Sequence, residues 1–158
     1  MEYRRILVPS PHTDDAELGC GGTIARLVEE GCEVFVVAFS SADESLPDGL
    51  SKDILKREFF QAIPTLGVPP SNLAVYSYPV RRLSYFRQEV LEELVKLREQ
   101  VHPDLVLLPS GNDPHQDHQV LYAEGLRAFK DISILAYELP WNHITFSAQA
   151  FVVLGKHH

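Results

Sequence analysis

Two short stretches of this chain hold residue types that could do chemistry together. The first, "HTDDAE", places His12, Asp14, Asp15 and Glu17 within a few positions of one another, directly after the apolar run "RILVP". Adjacent carboxylates repel, so folding alone gives no reason for the pair, and a positive partner is expected nearby. The second, "SGNDPHQDHQ", offers Asp113, His115, Asp117 and His118. His115 and His118 stand three apart at the start of a predicted helix and therefore share a face. Two imidazoles and a carboxylate from separate segments are what a catalytic zinc site takes, with a fourth position left for water. The spare carboxylate of the Asp14–Asp15 pair then has a use. Neighbouring side chains on an extended loop point different ways, so one can bind metal while the other faces water. Spacing does not decide which histidine and which aspartate bind.

Each piece alone has an ordinary explanation. A histidine after a strand is usually a hydrogen-bonded structural residue, and Asp-Asp in a loop is usually a cap or a turn. A metal is indicated because both clusters follow strands of one inferred sheet. The glycines of "GCGGTI" do not make a dinucleotide loop, because Ile24 occupies the third glycine position and the run does not follow its strand directly.

The elements that must position these clusters alternate almost without exception. Apolar runs of strand length are "RILVP" (4–9), "EVFVVAFS", "NLAVYSYP", "PDLVLLPS", "ISILAYELP" and "AQAFVVLG". Between them, "GTIARLVEEG" carries a helical stripe that stops at Gly31, residues 51–66 read as a helix bent by Pro64, and "SYFRQEVLEELVKLREQVH" is the most regular helix. "PHQDHQVLYAEGLRAFK" is a fourth helix, with Asp113 expected as N-cap and Pro114 at the first helical position. Alternation of this kind predicts a parallel sheet covered by helices on both faces. In such sheets ligands bind beyond the carboxyl ends of the strands, so both clusters belong at one edge.

Composition bounds the rest. The 158 residues are 45% apolar and 23% charged, enough for one core and a single domain over 1–158. A formal charge of −8 with no long Lys/Arg run argues against a nucleic-acid surface. Cys20 and Cys32 lack metal-type spacing and read as reduced thiols. "MEYRRILVPS" has no long apolar core and no run approaches the roughly 20 residues that span a bilayer, so a cytoplasmic protein without a membrane span is expected. Oligomeric state is unreadable, and a homo-oligomer is compatible with the sequence. A phosphorelay receiver would need an aspartate ending the third strand and a lysine ending the fifth; "YSYP" and "YELPW" exclude it.

"PHTDDAELGCGGTIARL" together with "PDLVLLPSGNDPHQDHQ" resembles the LmbE-like/PIG-L family of zinc-dependent N-acetylglucosaminyl deacetylases, over nearly the whole chain. The resemblance implies a Rossmann-like three-layer sandwich with a mostly parallel sheet of about five to six strands. It implies one Zn2+ per chain, held by His12, Asp15 and His118. By the same resemblance Asp14 is the general base, and His115 stabilises the oxyanion and can protonate the leaving amine. Asp117 tunes His115, and Glu17 stands behind the ligands. The implied partner is a small amino-sugar substrate; the other reading is a non-catalytic metal- or sugar-binding relative.

The chain also departs from the family. Thr13 stands where many members carry proline. The sequence stops at "GKHH", earlier than usual, so a C-terminal segment that helps wall the pocket is expected to be missing; His157 and His158 are given no function. "PVRRLS" replaces an acidic residue that holds a sugar hydroxyl in many sugar deacetylases. Arg81 and Arg82, in an otherwise acidic protein, are read either as binding an anionic phosphate or carboxylate group of the substrate or as a solvated surface pair.

Overall fold

Five of the apolar runs become strands: β1 (Arg5–Ser10), β2 (Glu33–Ala38), β3 (Leu73–Val75), β4 (Leu105–Pro109) and β5 (Ser133–Tyr137). They form one sheet in the order β3-β2-β1-β4-β5, with every neighbouring pair parallel. The computed structural model describes residues 3–158; Met1 and Glu2, where the N-terminal stretch searched for a leader begins, lie outside the described residues. Four helices complete the alternation: α1 (Asp15–Glu29), α2 (Ile54–Thr65), α3 (Arg87–Val101) and α4 (Gln116–Ala128). None is long and apolar enough to cross a membrane.

The strands read as continuous apolar runs because both faces are covered. Ile6, Val8, Val34, Val36, Leu105 and Leu107 face one way, onto Ala16, Ile24, Phe59 and Ile63 of α1 and α2. Leu7, Val37, Val106 and Leu108 face the other way, onto Val90, Leu94, Val120 and Leu121 of α3 and α4. The chain winds outward from β1 through β2 to β3, then returns to β1's other side to lay down β4 and β5. Strand order therefore reverses between β1 and β4, and a crevice opens at their carboxyl ends. The acidic cluster follows β1 and the histidine cluster follows β4.

Besides the start of α4, three elements differ from the sequence expectation. Helix α1 starts at Asp15, inside the cluster read as a loop, and Cys20 interrupts it with φ −143. Asp15 and Glu17 then lie in a first turn whose free N–H groups favour negative charge. The third strand shrinks to Leu73–Val75, an edge strand paired only with β2. Residues 148–155 form no strand, and Phe151 and Val153 remain 84% and 76% exposed. A β-rich pattern makes a strand only when its backbone meets a free edge. Here the segment passes over α1 instead, where Leu154 lies against Gly22 and the Arg26 guanidinium donates to the Val153 carbonyl.

Helix α4 approaches β4 closely because residue 125 is glycine. A Cβ at Gly125 would stand 2.6 Å from Leu108 Cδ1. Leu108 is fully buried, so its methyls occupy space that no other side chain can fill. We expect Leu108→Ala to lower unfolding free energy by about 2–5 kcal/mol in urea titration, and a loss below about 1 kcal/mol would contradict this packing.

Candidate metal centre

After β1 the chain turns sharply, and the turn is closed by side chains. The Ser10 hydroxyl donates to the His12 carbonyl at 2.9 Å, and the His12 N–H donates to Asp15 Oδ2 at 2.8 Å. The same oxygen lies 3.1 Å from His12 Nδ1 and 3.3 Å from His118 Nε2. Those two nitrogens are 3.4 Å apart. Three potential ligand atoms from β1's exit, α1 and α4 thus converge on one point.

Their outer partners fix which atoms face inward. His118 Nδ1 donates to Asp113 Oδ2 at 2.6 Å, and His12 Nε2 donates to Asp117 Oδ2 at 3.0 Å. A carboxylate acceptor keeps a proton on the outer nitrogen, so the inner nitrogen is the one that gives up its proton when a metal binds. A tetrahedral zinc with ligands at about 2.0–2.1 Å places those ligand atoms about 3.3–3.4 Å from one another. The observed 3.1, 3.3 and 3.4 Å match that triangle. The residues present therefore fit a metal ion.

Charge tells the same story. Burial works against a charged His12, yet hydrogen bonds to Asp117 and Asp15 push it up to about 9. Burial would raise Asp15, but bonds from His118 and His12 outweigh it and hold the carboxyl well below its usual range. Burial opposes charge on His118 too, and Asp15 and Asp113 raise it. The pocket is built to keep positive charge among buried carboxylates.

Asp14 behaves differently from its neighbour. It occupies the N-cap position of α1 but its side chain makes no capping bond, and it is exposed where Asp15 is buried. Burial of its carboxyl, then repulsion from Asp15, raises its proton affinity. The two aspartates sit in different environments, but at the start of a helix rather than on the extended loop expected.

At the other cluster the structure rearranges the expected roles. The N-cap of α4 is His115, whose Nδ1 accepts the Asp117 N–H at 3.2 Å. Asp113, expected to cap that helix, instead accepts the His115 N–H at 2.8 Å through Oδ1 and holds His118 through Oδ2. With Nδ1 occupied as an acceptor, a neutral His115 carries its proton on Nε2. Burial, followed by His118 and His12, keeps its proton affinity low. Its ring lies 5.0 Å from His12 and 4.6 Å from His118, and nitrogens of all three rings come within 4.8 Å. The carboxylate of Asp117 does not meet the His115 ring. It goes to His12 and to the backbone N–H groups of Arg81 at 2.5 Å and Leu83 at 3.1 Å.

The remaining candidates are placed as follows. Glu17 Oε2 is buried without a hydrogen-bond partner, and burial, then Asp14 and Glu58, pushes the carboxyl up to about 7. Arg81 and Arg82 are exposed, and neither guanidinium meets a carboxylate among the described residues. Arg81 adopts φ +63, a conformation held by the Asp117 bond on its N–H. A groove of about 580 Å³ runs along β5; Ser110, Asn112 and Tyr137 line it and the three histidines do not, so it lies beside the centre. Sequence reasoning missed the role of Asp113, which a search for carboxylates behind histidines could have found. It also missed Asn142, whose Nδ2 donates to Asp113 Oδ2 at 3.1 Å across 29 residues, a contact that no local pattern announces.

A parallel α/β sheet with a histidine–carboxylate pocket at its switch point defines a class of protein. Within that class, the family description "PIG-L: GlcNAc-PI de-N-acetylase" matches residues 7–129, and the chain belongs to this family. The uncharacterized deacetylase YaiS of Escherichia coli K12 is 27% identical over 152 residues, 92% of this chain and 80% of YaiS. The N,N'-diacetylchitobiose deacetylase of Pyrococcus horikoshii superposes with TM-score 0.72 at 26% identity, over 81% of this chain and 50% of that one. GalB, the 4-carboxy-2-hydroxymuconate hydratase of Pseudomonas putida KT2440, superposes with TM-score 0.66 at 26% identity, over 80% and 56%. The chain spans about half the length of these two solved relatives.

The outer partners carry a direct expectation. Asp113→Asn replaces the acceptor behind His118 with an amide and should weaken divalent-metal binding about 10- to 100-fold in chelator competition. Unchanged affinity would show that His118 needs no such support.

Proposed function

We propose that this chain is a zinc-dependent amidohydrolase that removes an N-acetyl group from an amino sugar of the N-acetylglucosamine type. The observation that carries the reading is the triangle of His12 Nδ1, Asp15 Oδ2 and His118 Nε2, whose sides of 3.1–3.4 Å suit one zinc ion per chain. Family membership and the diacetylchitobiose deacetylase neighbour support the amide chemistry.

A zinc ion held by His12, Asp15 and His118 would supply a Lewis acid for the acyl oxygen and lower the pKa of water to about 7. Asp14 acts as general base, because its carboxylate is uncommitted to capping and partial desolvation beside Asp15 raises its proton affinity. It takes a proton from the water that attacks the acetamide carbon. His115 turns its Nε2–H towards the oxygen that gains charge as the carbonyl becomes tetrahedral. The departing nitrogen needs a proton, since an amide anion is not a viable leaving group; Asp14, which holds the proton taken from the water, returns it while the His115 Nε2–H stays on the oxygen. Asp117 acts on this machinery by holding His12 and, through its backbone N–H, His115. Glu17 stands one turn behind, next to Asp14.

Arg81 and Arg82 give the substrate an anionic part. Neither guanidinium meets a carboxylate among the described residues, and the Asp117 bond ties the Arg81 backbone to the carboxylate that holds His12. A phosphate or carboxylate on the sugar suits guanidinium recognition.

Release of primary amine from neutral and anionic N-acetylhexosamines, with zinc and with chelator, tests the function. Chelator-sensitive release is expected, and zinc-loaded protein that releases none from any compound would sink the reading. The hydratase neighbour makes this assay discriminating, because the same fold is compatible with other chemistry. Asp14→Asn should keep metal and lose about 10²–10⁴-fold in turnover, whereas His12→Ala should lose metal. Near-normal turnover in Asp14→Asn would remove Asp14 as the base. Arg81→Ala should raise KM for anionic substrates alone; an equal KM for both classes in variant and parent would remove the anion site.

A further inference from the structure

Tyr137 ends β5 close to the metal centre and has no role in the chemistry above. Its carbonyl accepts the Ser110 N–H at 3.0 Å, and the Ser110 carbonyl accepts the Asp113 N–H at 3.1 Å. The tyrosine is thus two backbone bonds away from the carboxylate behind His118. Its ring fills a slot in α1 that exists because residue 19 is glycine. A Cβ there would stand 2.4 Å from Tyr137 Cδ2 and 2.8 Å from Cε2. Glycine inside a helix weakens it, so the slot has a structural penalty that the ring must offset.

A phenylalanine ring would fill that slot equally well. Tyr137 is 7% exposed, yet its hydroxyl is buried with no hydrogen-bond partner. An unsatisfied buried hydroxyl is unfavourable, and its presence calls for a use. Cys20 nearby is already committed, its thiol donating to the Ala16 carbonyl at 3.3 Å. Burial, then the charges of Asp15, Cys20, Asp113 and Asp14, hold the phenol well above its ordinary value, so it is a neutral donor. Among those carboxylates Asp113 has both oxygens engaged, by His115 and by His118 with Asn142. Asp15 receives its donors through Oδ2, and among the described residues none reaches Oδ1. The unpartnered phenol therefore belongs to a ring seated on α1 one turn from Asp15, whose Oδ1 takes no donor among the described residues.

We propose that Tyr137 is a positioning residue for the metal centre, its hydroxyl reaching Asp15 Oδ1 through one buried water and fixing the carboxylate so that Oδ2 faces the ion. A water with two polar partners in a buried polar site is a normal structural element. The inference rests on the reading of Asp15 as a metal ligand.

The test is zinc affinity by chelator competition, with thermal unfolding of the metal-free protein measured alongside. Tyr137→Phe should bind zinc about 10- to 100-fold more weakly than the parent, with a metal-free melting temperature unchanged or raised. In an Asp15→Asn background the same change should have no further effect on affinity, because the hydroxyl acts through Asp15. Parental affinity in Tyr137→Phe would overturn the proposal. So would additive losses in the double variant, which would assign the tyrosine a general structural role. A parent protein that binds no zinc would instead overturn the proposed function, so the two failures are distinguishable.

Discussion

Three carboxylates are buried at the carboxyl end of this sheet: Asp15, Asp113 and Asp117 are 5%, 1% and 0% exposed. Charge out of water must be matched, and this constraint dictates the surrounding geometry. Asp117 draws in His12 and the N–H groups of Arg81 and Leu83, so the loop after β3 is shaped around it. Asp113 draws in His118, the His115 N–H and Asn142, which fixes the start of α4 and the loop after β5. Glu124 shows the alternative solution. It too is fully buried, but the permanent charges of Arg87 and Arg127 satisfy it. At the cluster the counter-charges are histidines, which can surrender protons to a cation of a different kind.

Much of this was legible in the sequence. The strand–helix alternation gave the parallel sheet, and the position of each cluster after a strand placed both at one edge. The contrast between Asp14 and Asp15 was expected from an extended loop and arises instead at the start of α1. What stayed hidden depends on backbone trajectory. Helix α1 reaches back to Asp15 because its first turn welcomes carboxylates, which no apolar stripe signals. Asp113 has the composition of a cap and the location of one, and only the position of the His118 ring reveals its other use. Residues 148–155 have strand composition, but composition cannot say whether an edge is in reach.

The fold alone does not settle the chemistry. Its structural neighbours include a deacetylase and a hydratase, at the same 26% identity. What narrows the reading is the division of labour among side chains: two histidines pinned by outer carboxylates, one aspartate facing inward, one facing out, and a third histidine locked by a backbone N–H. On the proposed reading, that arrangement would set a Lewis acid, a base and a hydrogen-bond donor around one point.

The most direct test of the central claim is an anomalous-scattering map at the zinc edge from a crystal of the zinc-loaded protein. The account predicts a peak about 2.0–2.1 Å from His12 Nδ1, Asp15 Oδ2 and His118 Nε2. A second histidine–carboxylate group, Glu29 with His157 and His158, lies at the far end of α1 with Glu29 and His157 exposed, and gives a built-in contrast. A peak there alone, or none at the buried triangle, would contradict the account.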